Sequence, residues 1–140
     1  MDDNICGRKD PAAGGQMTDA DWPFEHFTPQ EFDSVGAPGS GDLISPKLVG
    51  VLERIRTRCG FPLHINSGVR TITHNAAVGG KSGSEHVQGE GADISAPTSG
   101  MRYAILKAAL LEGVHRVGVG STFIHIGVST SLPQDVLWTY

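Results

Sequence analysis

The sequence has few cysteines, no clusters of basic residues and no long apolar segment, and each of these shortages excludes certain classes of protein. With a net charge of -4 and scattered charged residues, nothing draws the chain strongly to nucleic acid or to anionic lipid. No apolar stretch is long enough to span a membrane. The N-terminus also lacks the apolar region of a secretion signal. We therefore expect a protein made in the cytoplasm, with neither a nucleic-acid nor a membrane partner.

Cys6 and Cys59 are the two cysteines of the chain. They either form one disulfide or remain free, and free thiols are favoured because Cys6 falls in a polar tail and Cys59 on an apolar helix face. Apolar residues make up 39% of the chain, so its 19 glycines indicate tight turns in a folded protein rather than disorder. The length of 140 residues corresponds to about one domain. We predict a flexible tail over residues 1–22, a domain over residues 23–140, and a monomer.

Three helices are predicted from their start and stop signals. The motif F-T-P-Q-E-F has an N-cap threonine, a proline at the first helical position and a glutamate that closes a capping box, which predicts a helix near residues 29–35. A second helix runs from the cap Ser45 to Gly60 and has one apolar face. A third helix begins at the cap Ser99 and ends at Gly113. Its predicted core face comprises Met101, Ala104, Ile105, Ala108 and Leu111.

Strands are predicted in five short segments, at residues 63–67, 92–95, 116–119, 123–128 and 136–140. The last three follow one another with short loops between them, which favours antiparallel pairing. The sequence therefore predicts an α+β domain in which helices pack on one face of a central antiparallel sheet.

Two histidines and an aspartate form the most informative pattern in the chain. In the segment F-I-H-I-G-V, strand alternation places His125 on the face opposite the aliphatic side chains, and in A-D-I-S it does the same for Asp93. If both strands belong to one sheet, these side chains converge, and small glycines after His86 let its loop turn towards them. Three such ligands hold zinc with a fourth position open for hydrolysis, whereas structural zinc has four. The alternative is that all three are ordinary polar residues on an exposed sheet face.

The motifs around these residues resemble the zinc D-Ala-D-Ala carboxypeptidase family. The segment S-E-H-V-Q-G-E-G-A-D, followed later by F-I-H, matches the family's spacing of histidine and aspartate, and S-G-V-R-T-I-T-H-N-A-A-V-G-G resembles its lead-in. The family includes vancomycin-resistance D,D-dipeptidases, many phage endolysins and, as a fold relative, the Hedgehog signalling domain. The resemblance covers residues 24–140 and implies a Hedgehog-like fold. It also implies a Zn2+ site formed by His86, Asp93 and His125.

The resemblance implies roles for three residues around the metal. Arg70 stands at the family's substrate arginine, a catalytic position where a guanidinium binds the substrate carbonyl or stabilises a developing oxyanion. Its alternative is a surface salt bridge. Ser84 either hydrogen-bonds the ligand loop or the substrate, or is an ordinary turn serine. Trp138 either lines the substrate cleft or belongs to the core.

The general base that a zinc peptidase needs is not evident in the sequence. Well-studied members of the family have an acid three positions before the last histidine ligand, where this chain has Thr122, and many have an aspartate two positions after it, where this chain has Gly127. Glu85, Glu90 and Asp135 remain as candidates, without a firm order among them. Glu85 adjoins a ligand, although neighbouring side chains usually diverge, and we take it as the catalytic candidate.

These features predict a zinc peptidase that hydrolyses amide bonds in peptides of bacterial peptidoglycan. The resemblance implies D-Ala-D-Ala carboxypeptidase or L-Ala–D-Glu endopeptidase activity. The opening F-T-P-Q-E-F resembles the start of phage-type domains of this family. This resemblance, with the small size and the missing secretion signal, favours a phage or prophage lysin, which reaches the cell wall after lysis begins or on a phage particle. The alternative is a weakly active or inactive zinc-stabilised module that binds the cell wall or a protein, because Thr122 cannot act as a base.

Overall fold

A five-stranded sheet forms the centre of the fold in the computed structural model, which describes residues 21–140. The strands are β1 (Ile65–Ser67), β2 (Gly91–Ser95), β3 (Arg116–Val119), β4 (Phe123–Gly127) and β5 (Val136–Thr139). They lie side by side in the order β1-β2-β4-β3-β5. The predicted α+β class and all five predicted strands are confirmed. Residues 1–20, which make up nearly all of the predicted tail, lie outside the described part.

One strand pair departs from the predicted antiparallel sheet. The pairs β1–β2, β2–β4 and β3–β4 are antiparallel, but β3 and β5 are parallel. Gly127 at the end of β4 pairs with Arg116, and Val136 at the start of β5 pairs with the same Arg116. The connecting loop therefore only has to cross the start of β3, and β5 then runs beside β3 in the same direction.

The described residues form three α-helices, two of which, α1 and α3, pack on the aliphatic side of the sheet. The helices are α1 (Pro46–Cys59), α2 (Ile72–Ala77) and α3 (Ser99–Leu111). α3 packs against β3 and β4, and α1 packs against α3. The buried core beneath them includes Leu48, Leu52, Ile55, Ile94, Ile105, Ile124 and Ile126. Because alternate residues of a strand point to opposite faces, this burial turns the polar residues of β2 and β4 to the other face.

The predicted caps of α1 are confirmed. The Ser45 hydroxyl accepts a hydrogen bond from the N–H of Leu48 at 3.4 Å, and Gly60 ends the helix with a φ of 74°. Cys59 is half-buried at the end of α1, and burial raises the pKa of its thiol. Cys6 lies outside the described residues, so the state of the two thiols stays a prediction.

Three details of the helix predictions are wrong. The segment predicted as a helix near residues 29–35 is a single turn of 3-10 helix, Pro29–Phe32. The N-cap of α3 is Thr98, whose hydroxyl accepts from the N–H of Met101 at 3.1 Å, so Ser99 is the first helical residue. Leu111 is exposed, because six positions after Ile105 it lies about 120° around the helix from the buried face.

The short helix α2 has no counterpart among the predicted helices. The Thr71 side chain caps it by accepting a hydrogen bond from the N–H of His74 at 3.1 Å. Asn75 is the buried residue of this helix. α2 directly follows Arg70, so its main effect on the site is to fix the neighbourhood of that arginine.

Among residues 21–140, no helix combines the length and the hydropathy that a membrane crossing requires.

Candidate metal centre

Three side chains from separate parts of the chain meet on the open face of the sheet. They are His86, Asp93 and His125, and one potential ligand atom from each lies within 4.8 Å of the others. Asp93 Oδ1 lies 2.9 Å from His125 Nδ1 and 3.3 Å from His86 Nε2. The structure thus brings together the three residues that the sequence predicts as metal ligands.

Strand pairing and two glycines create this arrangement. Asp93 on β2 pairs directly with His125 on β4, so their side chains emerge next to each other. A Cβ atom at Gly91 would lie 2.8 Å from His125 Cε1, so only glycine leaves room for the ring. Gly89 has a φ of 72° and approaches Leu43 closely, which turns the loop that carries His86 back towards the sheet.

Each imidazole has one nitrogen already engaged away from the cluster. The Nδ1 atom of His86 lies 2.8 Å from the carbonyl oxygen of Gly68 and donates to it, which leaves Nε2 free to bind a cation. The Nε2 atom of His125 lies 2.9 Å from Glu85 Oε1, which leaves Nδ1 directed at Asp93. The two ring nitrogens that face Asp93 are therefore the ones without a proton when a metal is bound.

The charges of the cluster depend strongly on one another. Burial acts to raise the pKa of Asp93, but hydrogen bonds from His125 and His86 hold that pKa far below its usual range. Burial acts to lower the pKa of His125, but Asp93 and Glu85 overcome it and raise that pKa. A cation placed between the three ligand atoms would replace these imidazole protons. Two imidazole nitrogens and one carboxylate oxygen are a donor set that suits Zn2+.

Glu85, the candidate general base, lies on the far side of His125 from Asp93. Its side chain is 2% exposed. One carboxylate oxygen binds His125 Nε2 on the far side of the ring from Nδ1. The other accepts from the N–H of Ser129 at 3.1 Å and lies 3.0 Å from Arg116 Nε, an ion pair without hydrogen-bond geometry. Both carboxylate oxygens are therefore engaged behind the ligand.

Arg70 lies at the edge of the cluster, next to Asp93. Its Nη2 atom is 3.4 Å from Asp93 Oδ2, its Nε donates to Ser67 Oγ at 3.1 Å and its Nη1 donates to Asn75 Oδ1 at 3.3 Å. Three partners hold the guanidinium in one orientation. An open cavity of about 180 Å3 adjoins Arg70, and its other lining residues include Asn66, Ser67, Val69, His74 and Val78.

Trp138 and Ser84 take different positions relative to the cluster. The Trp138 ring centroid lies 5.4 Å from that of His125, so the half-buried indole forms a wall of the site. A Cβ at Gly118 would lie 2.6 Å from the indole nitrogen, and glycine at that position therefore lets Trp138 lie flat on the sheet. The Ser84 hydroxyl accepts from the N–H of His86 at 3.2 Å, so Ser84 shapes the ligand loop.

Asp135, a second candidate base, lies away from the cluster, and Thr122 occupies the position where the family has an acid. Asp135 is exposed and lies 2.6 Å from His115 Nδ1 on the surface. Thr122 is exposed at the turn before β4, where its carbonyl accepts from the N–H of Ala96 at 2.8 Å. Glu90 is half-buried in the loop before β2 and stays a candidate.

Arg116 and Ser129 were not foreseen from the sequence, although both contact Glu85. The guanidinium carbon of Arg116 lies 5.1 Å from the centre of the Trp138 ring, so one cation touches both the buried glutamate and the wall of the site. No local motif marks either residue. Their roles appear only once β3, β4 and β5 are placed side by side.

An open set of three histidine and aspartate ligands on an α+β sheet is the arrangement of a mononuclear metallohydrolase. Residues 25–127 match the family model described as Peptidase M15. The chain is also 31% identical to a zinc D-Ala-D-Ala carboxypeptidase of Streptomyces albus G, over 70% of this chain and 42% of that relative. The protein therefore belongs to the M15 peptidase family, which confirms the suspected resemblance. It spans less than half the length of this relative.

Proposed function

We propose that the protein is a zinc peptidase that hydrolyses amide bonds in peptides of the bacterial cell wall. The observation that carries the proposal is the convergence of His86, Asp93 and His125, with their ligand atoms within 4.8 Å of one another. Family membership supports peptidase chemistry, and the name of the Streptomyces relative supports both zinc and a D-Ala-D-Ala substrate.

The cluster fits zinc in its chemistry as well as in its spacing. Both imidazoles have their other nitrogen bonded away from the cluster, and the three ligand atoms lie within 4.8 Å of one another, close enough to share one ion. Zinc in a three-ligand site acts as a Lewis acid that polarises a carbonyl group and activates water. His86, Asp93 and His125 would hold the ion, and the groups around them would orient the peptide.

Arg70 is the residue best placed to act on the substrate. Its guanidinium is fixed beside Asp93 by Ser67 and Asn75, so its N–H groups are already ordered next to the cation position. A fixed cation stabilises negative charge that develops on a carbonyl oxygen, because no reorganisation is needed during the reaction. We propose that Arg70 binds the scissile carbonyl and that Trp138 borders the peptide on the opposite side of the site.

A finer activity at this site is a further part of the proposal. We propose D-Ala-D-Ala carboxypeptidase or L-Ala–D-Glu endopeptidase activity, on a peptidoglycan peptide reached after phage-dependent or lysis-dependent delivery. The relative's name favours the first bond. Neither Glu85 nor Asp135 faces the cluster, so Glu90 is the remaining candidate for protonating the leaving amine, and we expect slow turnover.

Digestion of purified sacculi and of a D-Ala-D-Ala peptide tests the proposal. Zinc-loaded protein should release products whose masses identify the bond that is cleaved. A chelator, His86→Ala and Asp93→Ala should each abolish the release. A wild-type protein that binds one zinc ion and leaves every peptide intact would refute it. That outcome would favour a zinc-stabilised binding module, the alternative suggested by Thr122 at the position of the expected acid.

A further inference from the structure

A buried glutamate stands behind one of the metal ligands. Glu85 Oε1 lies 2.9 Å from His125 Nε2, and the carboxylate is almost completely shielded from water. The N–H of Ser129 and the guanidinium of Arg116 approach its other oxygen at 3.1 and 3.0 Å. A buried carboxylate is stable only with such partners, and these fix its position. The carboxylate is thus an ordered acceptor for one nitrogen of His125.

We infer that Glu85 is a positioning residue for the metal, which keeps the proton of His125 on Nε2 and presents Nδ1 to the cation. The carbonyl oxygen of Gly68 does the equivalent for His86 by accepting from its Nδ1 at 2.8 Å. One histidine is therefore oriented by a backbone group and the other by a charged side chain. A charged acceptor also makes the imidazole a stronger ligand. This inference rests on the proposed metal site and not on which peptide bond is cleaved.

The packing reserves the space for this carboxylate. A Cβ atom at Gly127 would lie 2.1 Å from Glu85 Oε1 and 2.2 Å from Oε2. A Cβ atom at Gly91 would lie 2.8 Å from Glu85 Cβ. Both glycines belong to paired central strands, where the backbone cannot move away. Any side chain at position 127 would occupy the space in which Glu85 meets His125.

Arg116 links this carboxylate to the wall of the site. Its side chain is 12% exposed, with Glu85 on one side and the Trp138 ring on the other. The guanidinium is largely buried, so its positive charge needs a negative partner. Glu85 provides that charge, which a neutral hydrogen-bond acceptor would not. A neutral isostere at position 85 should therefore disturb both His125 and Trp138.

Zinc affinity of the Glu85→Gln variant, measured by competition with a chromogenic chelator, tests the inference without any substrate. Glutamine keeps the volume and one acceptor but removes the charge. We expect zinc to bind about 10- to 100-fold more weakly than in the wild type. Glu53→Gln is the matched control. Glu53 on α1 also binds a histidine, with its Oε1 2.7 Å from His26 Nδ1, and the substitution removes that carboxylate away from the metal cluster. The control should change the affinity by about twofold or less.

Long-range 1H–15N NMR of the zinc-loaded wild type gives a second test that needs no variant. We expect His125 to carry its proton on Nε2 and to bind zinc through Nδ1, and His86 to show the reverse pattern. A His125 that binds zinc through Nε2 overturns the inference, as does a folded Glu85→Gln protein with unchanged zinc affinity. If Glu85→Gln does not fold, the wild-type spectrum decides.

These results are separable from the peptidase proposal. Weaker zinc binding by Glu85→Gln, together with the expected proton positions, supports the positioning role even if no peptide is cleaved. Conversely, cleavage by a protein whose Glu85→Gln variant binds zinc normally would support the peptidase and refute the positioning role.

Discussion

Replacing Gly127 with alanine should damage the metal site without touching a ligand. The new methyl carbon would lie 2.1 Å from Glu85 Oε1. That is about 1 Å shorter than the closest contacts that Cβ atoms make. Gly127 pairs with Gly91 on one side and Arg116 on the other, so the carboxylate must move instead of the strand. Its movement lengthens the bonds to His125 and to the Ser129 N–H.

The magnitude follows from those two bonds. A hydrogen bond to a charged group contributes about 1.5–3 kcal/mol, and a buried charge left partly unpaired adds to the loss. We therefore expect Gly127→Ala to lower the free energy of unfolding of the metal-free protein by about 2–4 kcal/mol. Urea denaturation followed by circular dichroism measures this loss, and chelator competition should show zinc binding about tenfold weaker.

A double-mutant cycle shows whether the damage passes through Glu85. Glu85→Ala removes the carboxylate, so Gly127→Ala should then lower stability by less than about 1 kcal/mol, which gives a coupling of about 2 kcal/mol. Gly100→Ala is the control for the substitution itself, because a Cβ at Gly100 in α3 meets no atom within 4 Å. Strictly additive effects of Gly127→Ala and Glu85→Ala, or a fully stable Gly127→Ala protein, would refute the reasoning.

Three further predictions concern the substrate, the ion and pH. Arg70→Lys should lower kcat/KM about 10²- to 10³-fold while zinc affinity changes little, because a lysine cannot keep the contacts to Ser67 and Asn75; an unchanged peptide-cleavage rate would place the substrate elsewhere. Zinc in about thousandfold excess over its Kd should stabilise the fold by about 4 kcal/mol, seen as a higher Tm that a chelator reverses; a Tm insensitive to zinc would argue against the site. Hydrogen bonds from Arg58 and Arg54 lower the pKa of Glu112 in the folded protein. Glu112 therefore stabilises the fold at any pH above its pKa in the unfolded chain. This stabilisation is lost as the pH falls through its pKa in the folded protein. Glu112→Gln should therefore lower the Tm at pH 7 but not in strong acid, and a Tm difference that persists in acid would contradict this.

The sequence predicted those features that depend on neighbours along the chain. Ser45 and Gly60 mark the ends of α1, since capping needs only the local backbone. Alternation in the segment of β4 places His125 opposite Ile124 and Ile126, because side chains of a strand alternate whatever its partner is. The candidate metal ligands could be named before any strand was paired, because the family resemblance of S-E-H-V-Q-G-E-G-A-D and F-I-H marks His86, Asp93 and His125.

What could not be predicted depends on which strands become neighbours. The orientation of β5 relative to β3 follows from where its loop leaves β4, and nothing in the segment itself encodes it. The position of Glu85 behind His125 needs the empty space at Gly127, a residue of β4 distant in sequence. Glu85 therefore looked like a possible base, being next to a ligand, until the packed sheet showed its carboxylate on the far side of the ring.

The strand order makes local opening cost less free energy on one side of the site than on the other. Asp93 and His125 lie on β2 and β4, which have neighbours on both sides, whereas Trp138 lies on β5 at the rim of the sheet. Rim strands detach at lower free energy than inner ones, so amide protons of residues 136–139 should exchange faster than those of residues 123–127. The side of the site that Trp138 borders can therefore widen by thermal fluctuation while Asp93 and His125 keep their positions.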